Sequence, residues 1–253
     1  MATSLPTTID EVLVQLNAIL DDAVRNSARI GYFAALYERV TSNVRRALIA
    51  GNVFDDNALM ERLDVVFANR FLEAWGQHTQ GQRPTESWAV AFERLDDPRP
   101  LVVQHLMLGM NAHINLDLGI AAATVAPTPA SLAALQPDFN RINDVLARLV
   151  RVVEDELCQI SPRLQRLADV VTVEQPIFDF GLNASREIAW KLATDLVATP
   201  PEGWAALIAR RDALTALAGR ALFPLHGLAA VAAQLTHDHE SKDIKLNIQI
   251  VAE

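Results

Sequence analysis

The sequence predicts an all-α fold, a single multi-helix bundle of about nine or ten helices around a buried central helix near residues 100–125. Apolar residues recur with helical spacing through most of the 253 residues, and the 10 glycines and 12 prolines fall mostly between those segments. Capping residues stand where the segments begin. Two short alternating runs, "VVTVEQPIFDF" and "IKLNIQIV", could be extended, but nothing suggests a sheet.

The first four predicted helices carry start or stop signals. "TTIDEVLVQLNAILDDAV" has Thr8 as its N-cap with a glutamate three residues later, the spacing of a capping box. "GYFAALYERVTSNVRRALIAG" ends at Gly51, a typical residue just after a helix. "DDNALMERLDVVFANRFLEAWGQH" is capped by Asp55 or Asp56, and the shorter "PTESWAVAFERL" by Thr85. "DDPRP" then separates these helices from the central one.

Helical spacing continues after "APTPAS". We expect helices near residues 137–159, 162–171 and 182–198, and a C-terminal pair near 203–235. Without an internal repeat or a low-complexity linker, the chain is expected to form one domain over residues 1–253, with 172–181 as the one candidate boundary. The C-terminal helices could support a homodimer, although no heptad seam requires one.

Composition limits the classes of partner. A chain with 51% hydrophobic and 21% charged residues is typical of a folded protein, and its net charge of −9 argues against nucleic acid or an anionic membrane surface. Cys158 is the single cysteine, so no intrachain disulfide can form. The segment "MATSLPTTIDEV" lacks the pattern of a secretion signal, and polar residues interrupt the apolar stretches. We therefore expect no membrane span and a cytoplasmic location.

The predicted central helix contains an unusual number of polar residues. Its core, "LMLGMNAHINLDLGIAAATVA" at residues 106–126, is rich in Leu, Met, Ile and Ala but includes Asn111, His113, Asn115 and Asp117. A helix that is apolar on all sides is usually buried on all sides, so these side chains are expected to lie in the interior. Because a buried polar group without a partner costs a few kcal/mol, the pattern requires an explanation.

Spacing indicates which of these groups could act together. At about 100° per residue, His105, His113 and Asp117 share one broad helix face, whereas Asn111 and Asn115 lie roughly opposite. His113 and Asp117 are four residues apart, close enough to hydrogen-bond or to chelate one metal ion. His105 lies about 12 Å from His113 along the axis, too far to share a metal with it.

Two interpretations of this pattern stay open. In the functional one, Asp117 orients His113 as a general acid or base, and Asn111 and Asn115 supply neutral hydrogen bonds. In the structural one, the same side chains form a buried polar network that fixes the register of neighbouring helices. Five polar residues within 13 positions, counted from His105, favour the functional interpretation.

Three segments together resemble a bacterial family of uncharacterised domains whose hallmark is a block H-L-L-L-G-M-N-A-H-I-N-x-D-L. They are "ERLDVVFANRFLEAW", "HLMLGMNAHINLDLGIA" and "DFNRINDVLARL". The resemblance covers most of the chain, is strongest from Ala34 to Leu149 and is weak after Phe180. It implies an all-α domain and carries no settled activity. The residues that match the family blocks are Asp64, Trp88, His105, Asn111, His113, Asn115, Asp117, Asp138 and Asn143.

Outside the central helix the polar candidates are less specific. Asp64 lies in an apolar segment and could pair with Arg70 or with a neighbouring helix. Tyr37 and Trp88 are more often core aromatics with a satisfied polar tip than substrate platforms. Asp138 follows a proline and is expected to cap its own helix. The predicted substrate-binding set comprises Asn111, Asn115, Asp64, Trp88, Tyr37 and Asn143, the last of which could reach the central helix.

Three hypotheses about function follow. The first, which we favour, is a small-molecule enzyme of bacterial specialised metabolism with His113, Asp117 and His105 as catalytic residues. It would perform a cyclisation, isomerisation, elimination or hydrolysis on a largely apolar substrate. The second is a metal-dependent hydrolase or oxidase with His113 and Asp117 as ligands. The third is a non-catalytic binding or scaffold protein. The sequence contains no P-loop, dinucleotide-binding glycine pattern, Cys-x-x-Cys or paired Glu-x-x-His motif, so no cofactor is assigned.

Overall fold

The computed structural model describes residues 4–165, 167 and 182–253, and no strand occurs among them. A π-turn, His113–Asp117, joins two of the helices. The all-α prediction is confirmed. The described helices are α1 (Ile9–Asn26), α2 (Ile30–Ala50), α3 (Asn57–Thr79), α4 (Glu86–Phe92), α5 (Val102–Ala112), α6 (Leu118–Val125), α7 (Pro129–Ile160), α8 (Leu182–Val197), α9 (Pro201–Leu222), α10 (Gly227–His237) and α11 (Ile244–Ala252).

Most of the predicted helix signals act as expected. The Thr8 hydroxyl accepts from the Glu11 amide at 3.2 Å and begins α1. Asp56, rather than its neighbour, caps α3, and Gly51 ends α2 in the left-handed conformation at φ 71°. Thr85 makes no capping hydrogen bond. The Asp212 carboxylate on α9 accepts instead from the first two amides of α4, at 2.7 and 2.8 Å.

The start of one helix differs from the prediction. The seventh helix begins at Pro129 rather than near residue 137, because Thr128 and Ser131 form a capping box and a proline fits the first helical position. Asp138 therefore lies inside α7, and its carboxylate accepts the amides of Asp55 and Asp56, both at 2.9 Å. It therefore holds the turn that leads into α3 and does not cap its own helix.

The C-terminal run "IKLNIQIV" is the helix α11, not an extended segment. Asp243 caps it by accepting from the Leu246 amide at 3.0 Å, and Ile248 and Val251 are buried. The predicted helix near 162–171 lies largely outside the described residues, as do "VVTVEQPIFDF" and the candidate boundary at 172–181.

The predicted central helix is central and buried. From Val102 to Val125 every residue but three is buried. Met110 and Ile114 are half-buried, and Thr124 is exposed. Helices α2, α4 and α9 pack against α5, whereas α3 and α8 pack against α6. Polar groups of the segment 105–117 consequently face other helices rather than solvent.

The part of the chain that the structure describes has no single helix with the length and apolar composition of a membrane span. The bent pair α9 and α10 passes that test together, by length and composition.

Candidate active site

The central helix is not regular through its polar segment. His113–Asp117 forms a π-turn, closed by a hydrogen bond from the Leu118 amide to the His113 carbonyl, five residues back. A π-turn widens the helix by one residue and occurs frequently at functional sites. The advance of 100° per residue expected from the sequence therefore does not hold through this turn. The directions of its side chains are those that the structure shows.

Asp117 is the hub of the buried polar groups. It is fully buried, and its Oδ2 accepts from the Trp88 indole Nε1 at 2.8 Å and lies 3.2 Å from His113 Nδ1. Its other oxygen accepts from Arg70 Nε at 3.2 Å. Because an ionised carboxylate only accepts hydrogen bonds, Nδ1 of His113 carries the proton in this pair. The Nε2 atom of the neutral ring is then left with a free lone pair.

Aromatic side chains enclose the His113 ring. Phe67 stacks on it with ring centroids 3.6 Å apart and planes 8° from parallel, and Tyr37 meets it edge-on at 4.5 Å. Burial lowers the pKa of His113, against the opposing hydrogen bond and charge of Asp117. The imidazole is therefore neutral at pH 7. The remaining rings within contact distance are Phe33, Phe71 and Trp88.

His113, Tyr37 and Asp64 each have one buried polar atom without a protein partner among the described residues. These atoms are Nε2 of His113, the hydroxyl of Tyr37 and Oδ2 of Asp64. Each such atom costs about 1–3 kcal/mol of stability, and several together are a feature that requires an explanation. A polar ligand that hydrogen-bonds to them would account for their retention.

Burial and neighbouring charges shift the pKa values of Asp64 and Tyr37. Burial, assisted by the charge of Glu61, raises the pKa of Asp64 to about 7. Burial also raises the pKa of Tyr37 well above its usual value, and the charges of Asp64 and Asp117 act in the same direction. The Tyr37 hydroxyl is thus close enough to both carboxylates to respond to their charge.

The two central asparagines form a separate connection. Asn115 Nδ2 donates to Asn111 Oδ1 at 3.0 Å, and Asn111 Nδ2 donates to the Thr215 carbonyl of α9 at 2.9 Å. Gly219 lies against the same amide, where an added Cβ would come within 3.1 Å of Asn111 Nδ2. These contacts attach the central helix to α9. The Oδ1 atom of Asn115 has no partner in the described structure.

Two other predicted residues lie apart from His113. His105 is buried beside Tyr32, with ring centroids 5.9 Å apart, and burial lowers its pKa to about 4. His105 is not one of the aromatic rings that surround His113. Asn143 is half-buried on α7, and within the described residues its Oδ1 atom has no hydrogen-bond partner.

Comparison with known proteins identifies the family. Residues 9–224 match the model of DUF5995, a family of unknown function. The chain belongs to this family. The match includes helices α1 to α9 and hence all the residues around His113, whereas α10 and α11 lie beyond it. It confirms the predicted resemblance to an uncharacterised family. No curated protein and no solved structure matches the chain.

Several side chains of this DUF5995 site were not singled out from the sequence. Phe33 with Tyr37 on α2, and Phe67 with Phe71 on α3, are pairs four residues apart that present aromatic rings to one helix face. This spacing of aromatic residues is the sequence signal that indicates such a cluster, but the same spacing is common in ordinary hydrophobic cores. Arg70 was considered as a partner of Asp64, whereas it pairs with Asp117.

The arrangement favours hydrogen bonding over metal coordination. Across residues 4–165, 167 and 182–253, no three His, Cys, Asp or Glu side chains converge in a group that could hold a metal ion. Asp117 is occupied by three donors, and His113 Nδ1 faces one of its oxygens. His113 and Asp117 in this DUF5995 chain therefore form a buried hydrogen-bonded pair, and Arg70 and Trp88 also donate to the carboxylate.

Proposed function

We propose that the protein is a small-molecule enzyme that performs acid–base chemistry on a largely apolar substrate, with His113 as its base. One observation carries the proposal. His113 is held by Asp117 through Nδ1, while its buried Nε2 has no protein partner among the described residues. An oriented, neutral imidazole with a free lone pair is the form of histidine that removes a proton.

The neighbouring side chains supply complementary roles. Asp117 stabilises the imidazolium that forms when Nε2 takes a proton, and its bonds from Arg70 and Trp88 hold it in place. Asp64, with a pKa of about 7, retains a proton in about half of the molecules at neutral pH and can deliver it. The Tyr37 hydroxyl can donate a hydrogen bond to a polar group of the substrate.

This combination favours one group of reactions. A base without its proton, combined with an acid that retains one, fits the removal of a proton from one substrate atom and delivery of a proton to another. Isomerisation, elimination and proton-initiated cyclisation have this requirement. Hydrolysis would in addition require a positioned water, and it is the less favoured member of the group.

The walls of the site indicate the character of the substrate. Aromatic rings surround His113 on several sides, so a bound molecule would contact mostly apolar surface with a few polar atoms to fix its orientation. Phe67 is half-buried, whereas Phe33 and Phe71 are buried. The route from the surface to His113 in this proposal therefore passes the stacked Phe67 ring.

Metabolite profiling in D₂O tests the proposal even though the substrate is unidentified. The wild-type protein and His113→Gln are each incubated with a bacterial small-molecule extract, and mass spectrometry identifies compounds that change. We expect the wild type to convert at least one apolar compound. An isomerisation or a proton-initiated cyclisation would introduce one deuterium into the product, whereas an elimination would place the deuterium on the leaving group. Gln can still donate to Asp117 but has no basic nitrogen, so His113→Gln should lose this conversion by at least about a hundredfold.

A matched variant controls for non-specific effects of replacing a histidine. His239→Gln changes an exposed histidine near the start of α11, and it should convert the same compound at the wild-type rate. Helix content and thermal midpoint are measured for all three proteins. Conversion that persists in His113→Gln would exclude His113 as the base.

One observation favours a structural alternative for part of the network. Asn111 and Asn115 bond to each other and to the Thr215 carbonyl, as expected for side chains that fix the position of α9. A non-catalytic protein would extend that role to His113 and Asp117. The unpartnered atoms of His113, Tyr37 and Asp64 are the feature that this alternative leaves unexplained.

A further inference from the structure

A groove of about 980 Å³ lies on a different surface of the molecule, where α2 and α7 meet parts of α1 and α11. Four arginines line it, although the chain as a whole has a net charge of −9. They are Arg39, Arg45, Arg46 and Arg141. Such a local concentration of guanidinium groups on an acidic protein is a candidate for the recognition of an anion.

The groove is separate from the site around His113. Both use α2, but Arg46 lies nine residues after Tyr37 and thus about 180° around the helix from it. Tyr37 is buried and faces the His113 ring, whereas Arg46 is exposed. Binding in the groove is therefore independent of the proposed enzymatic function.

Two of the four arginines are occupied by structural contacts. Arg39 is buried and donates to both oxygens of Glu156, at 2.6 and 3.0 Å, and to the Val251 carbonyl at 2.7 Å. Arg141 pairs with two carboxylates, those of Asp55 and Asp138. These arginines shape the groove, but their charge is already neutralised.

The other two arginines have capacity for a ligand. Arg46 donates to the Ser42 carbonyl and to Asn43 Oδ1, and among the described residues no carboxylate lies within ion-pair distance of it. Arg45 pairs through Nε with Asp10; the Arg45 side chain is 39% exposed and that of Asp10 is 68% exposed, so water weakens this pair. Two carboxylates also line the groove. Glu38 accepts from the Ser42 hydroxyl at 2.8 Å, and Glu253 follows the end of α11.

Apolar side chains form much of the remaining wall. Val152 is 46% exposed, an unusual state for a large aliphatic side chain beside a concave surface. The other apolar lining residues are Leu13, Ala47, Val53, Leu149 and Ala252. A ligand in this groove would therefore meet guanidinium donors at one part and aliphatic surface at another.

We propose that the groove binds an amphiphilic organic anion. Its carboxylate or phosphate accepts hydrogen bonds from Arg45 and Arg46, since guanidinium groups match the geometry of both anions. Its apolar body lies against Val53 and Val152. A free phosphate would lack the apolar contact, and an uncharged amphiphile would lack the bond to Arg46.

Titration calorimetry with four probes tests this site. Octyl phosphate and octanoate carry both features, octyl glucoside has the chain without the charge, and inorganic phosphate has the charge without the chain. Below their micelle concentrations, we expect the two anionic amphiphiles to bind at least about tenfold more tightly than the other two. Arg46→Gln should weaken octyl phosphate binding by about tenfold, and Val152→Asp should abolish it by adding a negative charge to the wall.

Arg25→Gln is the matched control, since Arg25 is an exposed arginine on α1 that does not line the groove. It should leave binding unchanged, and circular dichroism confirms that every variant is folded. Equal affinity for octyl phosphate and octyl glucoside, or for octyl phosphate and inorganic phosphate, would overturn the proposal. The proposal would also be overturned if Arg46→Gln bound octyl phosphate as tightly as the wild type. The protein could also sediment with phosphatidylglycerol vesicles and yet not bind monomeric octyl phosphate. That result would overturn the proposal and assign the surface to a membrane.

Discussion

The Nδ1 atom of His113 lies 3.2 Å from Oδ2 of Asp117, inside a π-turn where both side chains are buried. This relationship fixes the tautomer of the histidine and leaves Nε2 free to accept a proton. The same carboxylate also receives Trp88 from α4 and Arg70 from α3. Three helices therefore hold one imidazole in one orientation.

Replacing Asp117 should destabilise the fold as well as the site. In Asp117→Asn the three donors lose their charged acceptor, and Arg70, whose side chain is 27% exposed, loses its ion-pair partner. We expect a loss of about 3 kcal/mol in the free energy of unfolding, measured by urea denaturation. Asp195→Asn, which breaks an exposed pair with Lys191, should change it by less than about 0.5 kcal/mol. Equal effects of the two variants would contradict a buried hub.

Asp64 should make stability fall as pH rises. Burial raises its pKa in the folded protein to about 7, above the value of an unfolded aspartate. Between about pH 4 and pH 7 the folded state then binds more protons than the unfolded state, and stability decreases by a few kcal/mol across this window. Above about pH 8 the contribution is constant.

Comparison with Asp64→Asn isolates that contribution. His105 and His113 have lowered pKa values, so their contribution to stability rises with pH, opposite to that of Asp64. Both histidines are present in the wild type and in the variant, so they do not affect the difference between the two proteins. Denaturation from about pH 4 to pH 9 should therefore show Asp64→Asn gaining stability relative to the wild type up to about pH 7, followed by a plateau. A stability difference between the two proteins that stays constant with pH would show that the pKa of the Asp64 carboxyl group is not raised.

Gly109 should be required for close packing beside the site. A Cβ added there would collide with the Phe33 ring, which also contacts His113. We expect Gly109→Ala to lower the free energy of unfolding by about 1–3 kcal/mol, because the core is already filled. At Gly76 on α3 an added Cβ would make only an ordinary contact, 3.8 Å from Gln80 Nε2, and Gly76→Ala should raise stability by about 0.5–1 kcal/mol. Thermal unfolding of both variants distinguishes packing from helix propensity.

Local spacing made a large part of this molecule predictable. The helical periods, the Thr8 and Asp56 caps and the i, i+4 pair of His113 and Asp117 all depend on residues within one helical turn. The buried central helix followed from its apolar composition on every side. Such features do not depend on which helices meet.

Features that depend on distant contacts were not predictable. The ring that fills the space beside Gly109 belongs to Phe33 of α2, which is distant in the sequence. Asp138 follows a proline and suggested a cap for its own helix, but its partners lie more than 80 residues away in sequence. Trp88 reaches Asp117 across 29 residues. In each case the partner is set by tertiary packing and not by spacing within one helix.

The free energy of unfolding of Tyr37→Phe tests the central claim most directly, because it requires no substrate. The claim is that polar atoms beside His113 are kept for a ligand and have no partner among the described residues of the protein. Removing a buried hydroxyl without a partner should leave stability unchanged or raise it by about 1 kcal/mol. Tyr32→Phe, at the other tyrosine, where the Asn247 side chain lies beside the hydroxyl, is the matched comparison and should not gain stability. A loss of about 1 kcal/mol or more in Tyr37→Phe would show that the hydroxyl is bonded within a structural network, and it would contradict the claim.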